Sequence, residues 1–175
     1  MDYIIIGTDH DLQKSDSRDT GLRDKLQAYI RTKNIVLIAE EVDANKHIQT
    51  FGRDLVGDGK WLSIDMPTEE RKRAGIYQQL RGSEPGLDPE RGFFTINPYY
   101  KRVDGVRERF WLDKIEEWCN QKHVSSGVII VTCGYNHPPY LADKIRSRHP
   151  GSTVAIDEYL PYDKEAKHGV FEELE

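Results

Sequence analysis

The chain is poor in several features that would announce a function. It has two cysteines in 175 residues, Cys119 and Cys133, and they form no Cys-x-x-Cys pair. That argues against a zinc knuckle and against a disulfide framework, and fits a reducing compartment. No apolar run is long enough to span a bilayer, so no membrane partner is expected. Met1–Gly7 lacks a basic leader, and its apolar run is too short for a signal peptide, so the expected location is cytoplasmic. No Gly-x-Gly-x-x-Gly, no phosphate-loop lysine and no Gly-x-Ser-x-Gly is present, which removes the common nucleotide-binding and serine-hydrolase readings. Excess positive charge is also missing. The net charge is −5, which disfavours a general nucleic-acid binder, although Lys101, Arg102, Arg107 and Arg109, and again Lys144, Arg146 and Arg148, lie close together in sequence.

What the chain does contain is a rhythm. Tyr3–Ile6, Ile35–Ala39, Trp61–Ile64 and Val128–Thr132, with Thr153–Ile156 weaker, are short and nearly continuous in apolar residues. Strands buried on both faces have that pattern. Helical spacing separates them: Leu22, Leu26, Tyr29 and Ile30; Ile48, Phe51 and Leu55; Arg71 to Leu80; Val106 to Trp118; and the segment from Pro138 that carries Leu141 and Ile145. The expectation is a single α/β domain over 1–175. It has three layers, a mainly parallel central sheet flanked by helices, and a site at the C-terminal strand ends. Residues 82–105 are expected to be a long loop or lid around the aromatic cluster Phe93, Phe94, Tyr99 and Tyr100. Residues 162–175 are expected to be a charged terminal segment.

The residues that follow each strand carry the chemistry. They are Gly7-Thr8-Asp9-His10, then Glu40-Glu41-Val42-Asp43, then Asp65, then Cys133-Gly134-Tyr135-Asn136-His137. A Gly-x-x-His tetrad arises about half a time by chance in a chain of this composition. Two of them, each directly after a buried-strand pattern, are more informative. Imidazole nitrogen and carboxylate oxygen suit a divalent metal such as Mn, Co, Zn or Fe. His10 and His137 are the candidate ligands, with Glu41 as ligand or base and Glu40 as a further candidate base. Gly7, Asp9, Asp65, Gly134, Tyr135 and Asn136 would line the site. Each residue also has a plainer reading: the histidines as loop or cap residues, Glu40 and Glu41 at a helix N-terminus, Asp65 at the start of a helix, Arg107 as a solvated helix-face arginine. Arg107 could instead pair with Glu41 or with an anionic substrate group. Cys133 is a candidate nucleophile weighed against a buried apolar filler.

In their order these passages resemble the TraB/Tiki and erythromycin-esterase/ChaN superfamily. Ile4-Ile5-Ile6-Gly7-Thr8-Asp9-His10 is similar to the first family motif, and Val36–Asp43 to the strand that leads into Glu-Leu-Asp, which favours Glu41 over Glu40. Arg107–Ile115 followed by Val128–Thr132 and Gly134–His137 is similar to the Arg-acid helix and last motif. The resemblance implies an α/β sheet fold with a site of Gly7, His10, Glu41, Arg107 and His137. It also implies an activity among metal-dependent peptidases, esterases or haem binders. The expected function is therefore metal-dependent hydrolysis of a peptide, amide or ester bond by a metal-activated water. The substrate would be a small molecule or a peptide. The alternative is a non-catalytic module that holds a small anionic ligand, haem or a partner peptide in the same crevice. The sequence does not fix the oligomeric state.

Overall fold

The computed structural model describes residues 1–42, 48–74, 98–135 and 137–159, without the side chains of Thr68, Lys72 and 98–104. Five strands form one sheet, and every pairing is parallel. In chain order the elements are β1 (Asp2–Thr8), α1 (His10–Gln13), α2 (Gly21–Thr32), β2 (Ile35–Glu40), α3 (Phe51–Val56), β3 (Trp61–Ser63), α4 (Thr68–Arg73), α5 (Pro98–Gln121), β4 (Val128–Gly134), α6 (Pro138–Arg148) and β5 (Val154–Tyr159). A single 3-10 turn, Asp58–Lys60, leads into β3. Among the described residues no helix is long and apolar enough to cross a membrane.

The strand order is β3-β2-β4-β1-β5. Late-coming β4 is inserted between the first two strands, Gly7 lying beside Cys133 and Thr8 beside Gly134. Glu40 pairs with Thr132 on its other side. Three chain segments far apart in sequence thus end side by side at one edge.

Alternation of side chains along each strand builds two cores. On one face Tyr3, Ile5, Leu37, Ala39, Ile129, Val131 and Cys133 pack under Trp111, Leu112 and Ile115 of α5 and Leu141, Ala142 and Ile145 of α6. On the other, Ile4, Ile6, Ile38 and Ile130 pack under Leu22 and Leu26 of α2 and Phe51 of α3. Each fully buried aliphatic side chain stabilises the fold by about 1.5–3 kcal/mol. Both faces are covered, which is why the strands read as unbroken apolar runs. The edge strand β5 alternates instead, and Ile156 stands 43% exposed.

One sequence expectation needs correction. Residues 98–105 are not loop; they open α5, because Pro98 fits a first helical turn and only Gly105 weakens the run that follows. Residues 82–97, the terminal segment 162–175 and positions 75–80 of the expected Arg71–Leu80 helix lie outside the described residues, and α4 covers Thr68–Arg73. Helix α1 was unexpected. Four residues are too few to show a period, but Asp9 caps it, its carboxylate accepting the Asp11 N–H at 3.5 Å.

Candidate functional site

Each strand end supplies one part. After β1, Asp9 turns the chain into α1 and His10 becomes its first residue, more than half exposed at the mouth. After β2, Glu41 continues the ladder by donating its backbone N–H to Thr132 O at 2.9 Å. After β4, Gly134 O accepts the His137 N–H at 3.0 Å, closing a turn. Pro138 and Pro139 then start α6, where prolines fit a first turn.

The two tetrad glycines explain each other. A Cβ on Gly7 would lie 2.9 Å from Pro138 Cγ and 3.3 Å from Tyr135 Cα. A Cβ on Gly134 would lie 3.3 Å from both His10 Nε2 and His137 Cδ2, and 3.5 Å from Glu41 Oε2. The first glycine admits the second tetrad's loop, and the second leaves room for both imidazoles. Hence the tetrads form one structure contributed from two ends of the chain.

Glu41 is the hub, with its side chain 1% exposed. Arg107 of α5 donates Nη2 to its Oε1, and the Gly134 N–H donates to Oε2 at 2.8 Å. His10 Nε2 and His137 Nε2 each lie 3.8 Å from the same Oε1. The two imidazole nitrogens therefore cannot be farther apart than twice that distance. Arg107 Nη2 also reaches Asp65 Oδ1 at 2.9 Å, and Arg71 of α4 pairs with Asp65 Oδ2. Asp65 thus joins the third strand end to the site. Its Oδ1 also accepts the Met66 N–H at 2.9 Å, so the helix-entrance role holds as well.

Behind His137 stands Glu108, fully buried, with Oε1 3.2 Å from His137 Nδ1. A carboxylate at Nδ1 favours the tautomer that keeps its proton there and leaves Nε2, on the Glu41 side, as the unprotonated nitrogen. Trp111 meets the His137 ring edge-on at 4.8 Å between centroids, and the Arg107 guanidinium lies 5.2 Å from the Trp111 ring centroid. Sequence reasoning passed over Glu108 as a site residue. The signal was available: 108, 111, 112 and 115 share one helical stripe, and three of the four are core residues. Arg71 carried no comparable signal.

Other expectations come apart here. Glu40 is not beside the histidines. One residue earlier in the strand, it points to the opposite face, where Thr50 Oγ1 and Trp61 Nε1 donate to its Oε2 and Thr132 Oγ1 donates to its Oε1 at 3.3 Å. A Cβ on Gly52 would lie 2.7 Å from Glu40 Cδ, so α3 closes directly over the carboxyl group. Burial raises the pKa of Glu40 from its ordinary value despite these donors. Cys133 is fully buried, and burial, reinforced by Glu41 and Glu108, holds its thiol well above the usual range. That is the opposite of an activated nucleophile. Tyr135 is exposed at the rim, and Asn136 lies outside the described residues.

The chain matches no family model, no curated protein and no solved structure. The geometry has to speak alone. For a divalent ion, the two Nε2 atoms and Glu41 Oε1 have suitable chemistry. Glu41, however, is already engaged at both oxygens, one of them by a guanidinium. Among the described residues no three His, Cys, Asp or Glu side chains are set to hold an ion. A three-ligand site does not fit unless Arg107 leaves Glu41.

Proposed function

We propose that the protein is a cytoplasmic hydrolase of peptide, amide or ester bonds in which His137 is the general base. One observation carries this reading: the His137 ring is held at Nδ1 by buried Glu108 while its Nε2 lies 3.8 Å from Glu41 Oε1, the same oxygen that His10 Nε2 approaches from the exposed side. Water placed at Nε2 would give up a proton to it as the water oxygen bonds to the acyl carbon. The carbon–nitrogen or carbon–oxygen bond then breaks, and the proton returns from His137 to the leaving atom. His10, at the mouth, would hydrogen-bond the carbonyl oxygen as charge gathers on it. Glu41, Arg107 and Asp65 form the frame that fixes both histidines relative to the strand ends. This division of labour moves the base role away from Glu41, whose oxygens are occupied.

A second reading keeps the metal. His10 and His137 direct their Nε2 atoms at one oxygen, as two ligands of a shared Mn, Co, Zn or Fe ion would. In that case the metal would supply an activated water, and Arg107 would have to release Glu41 Oε1.

One set of measurements separates these readings. Activated esters and short peptides are assayed with wild type, His137→Ala and Glu108→Gln, each with added Mn, Co or Zn and with chelator. General-base catalysis predicts chelator-resistant turnover that falls about 10²–10⁴-fold in His137→Ala. Turnover that requires added metal, together with calorimetric binding lost in a His10→Ala/His137→Ala variant, favours the ion. Turnover unaffected by His137→Ala rejects His137 as the base, and turnover absent from the whole panel rejects the hydrolase. The crevice is then a binding site for an anionic ligand, haem or a partner peptide.

A further inference from the structure

A second feature lies beside the site, on the outer side of the two helices that feed it. A solvent-facing groove of 480 Å³ runs between α5 and α6, lined by Arg109, Tyr140, Asp143, Lys144, Ser147 and Arg148. Among the described residues its charges are not balanced. Arg148 is committed to Asp113 at 2.5 Å and Glu116 at 3.2 Å, and Asp143 accepts from Arg146 at 3.3 Å. That leaves Arg109 and Lys144. Neither has a carboxylate within ion-pair distance among the described residues; Arg109 Nε donates only to the Gly105 backbone oxygen at 3.2 Å.

Both free cations approach the same residue. Lys144 Nζ lies 3.7 Å from where a Cβ of Gly105 would be, so the missing side chain leaves the lysine room to reach α5. Arg109 stands one helical turn further along α5. Two like charges drawn to one spot repel each other unless an anion lies between them. The hydroxyls of Tyr140 and Ser147 line the same groove and can donate to an anion's remaining oxygens. Position relates the groove to the chemistry. Gly105 is two residues before Arg107, and Lys144 is seven residues after His137, about 10 Å along α6 at the helical rise.

We infer that this groove is the anchoring subsite for an oxyanion, a carboxylate or a phosphate, carried by the substrate. The inference rests on the hydrolase reading for the word substrate, and on the groove alone for the anion. The substrate class becomes acyl compounds with an acidic group at one end.

The test is a titration of the whole ¹⁵N-labelled protein followed by NMR, with inorganic phosphate in one arm and glutarate in the other, at constant ionic strength. The expected result is saturable shifts of the Tyr140, Lys144 and Ser147 amides with at least one anion. Those shifts should weaken at least tenfold in Arg109→Gln/Lys144→Gln while the strand resonances stay in place. The anion that saturates at the lower concentration names the group. His137→Ala should bind the anion as wild type does, so loss of the hydrolase reading leaves this result standing. No saturable shift with either anion, or equal shifts in the double variant, overturns the subsite whatever the turnover assays show.

Discussion

Removing Arg107 tests whether the frame of the site is electrostatic. The guanidinium joins two carboxylates from different strand ends, Glu41 at Oε1 and Asp65 at 2.9 Å, and its side chain is 13% exposed. In Arg107→Met the packing over Trp111 is largely kept and the charge is lost. Asp65 retains Arg71, but Glu41 is left with the Gly134 N–H as its remaining strong donor, in a position 1% exposed. Breaking one side of a buried pair costs about 3–5 kcal/mol, mostly from the stranded charge. Partial exposure of Arg107 places the expectation at the low end, about 3 kcal/mol. Glu41→Gln in the same background removes the stranded charge and keeps an acceptor for Gly134. Arg107→Met/Glu41→Gln should therefore recover to within about 1–2 kcal/mol of wild type, a coupling of about 2 kcal/mol. Urea denaturation of the four proteins, followed by tryptophan fluorescence and far-ultraviolet dichroism, gives the cycle. A loss below 1 kcal/mol in Arg107→Met, or a double variant no better than the single, would refute the claim that this pair sustains the site.

Two further outcomes follow from the opposite faces of the sheet. Burial raises the folded-state pKa of Glu40, so its contribution to stability is fully present below the unfolded carboxyl pKa and is lost as pH rises through the folded value. Glu40→Gln should accordingly be more stable than wild type near pH 8 and no more stable near pH 4, read from denaturation midpoints across that range. Gly7→Ala should lose about 1–3 kcal/mol through the 2.9 Å approach to Pro138, reduced by the smaller unfolded-state entropy of alanine. The same substitution should shift the His137 ring resonances, and an unchanged ring environment would mean the loop is not held by that contact.

The sequence made the sheet legible because the three central strands are buried on both faces, and continuous apolar runs such as Tyr3–Ile6 have no other economical reading. It also brought His10, the Glu40-Glu41 pair and His137 to one edge through the rule that sites gather at strand C-termini, while Arg107 and the choice of Glu41 came from the family resemblance. What it hid was order and parity. Nothing local in Val128–Thr132 says that this strand inserts between the first two. Glu40 and Glu41 are chemically identical neighbours, separated only by which way a pleat turns. Glu108 was hidden by the habit of treating a charged helix residue as solvated, although its place on the Trp111–Ile115 stripe argued otherwise. The helical start at Pro98 was masked by the aromatic and proline residues around it in the sequence, which carry turn chemistry.

The insertion of β4 between β1 and β2 also has a consequence in time. His10 is made more than a hundred residues before the strand that completes its surroundings. At about 5–20 residues per second, β1 waits on the order of ten seconds for its partner. During that interval Tyr3–Ile6 is an apolar strand with both edges unpaired, a sticky segment that a chaperone or an early α2–β2 contact must shield. No truncated intermediate can contain the assembled site, because both glycines of the interlocking tetrads have to be present before the two histidines are brought together. The site exists only after the sheet has been completed.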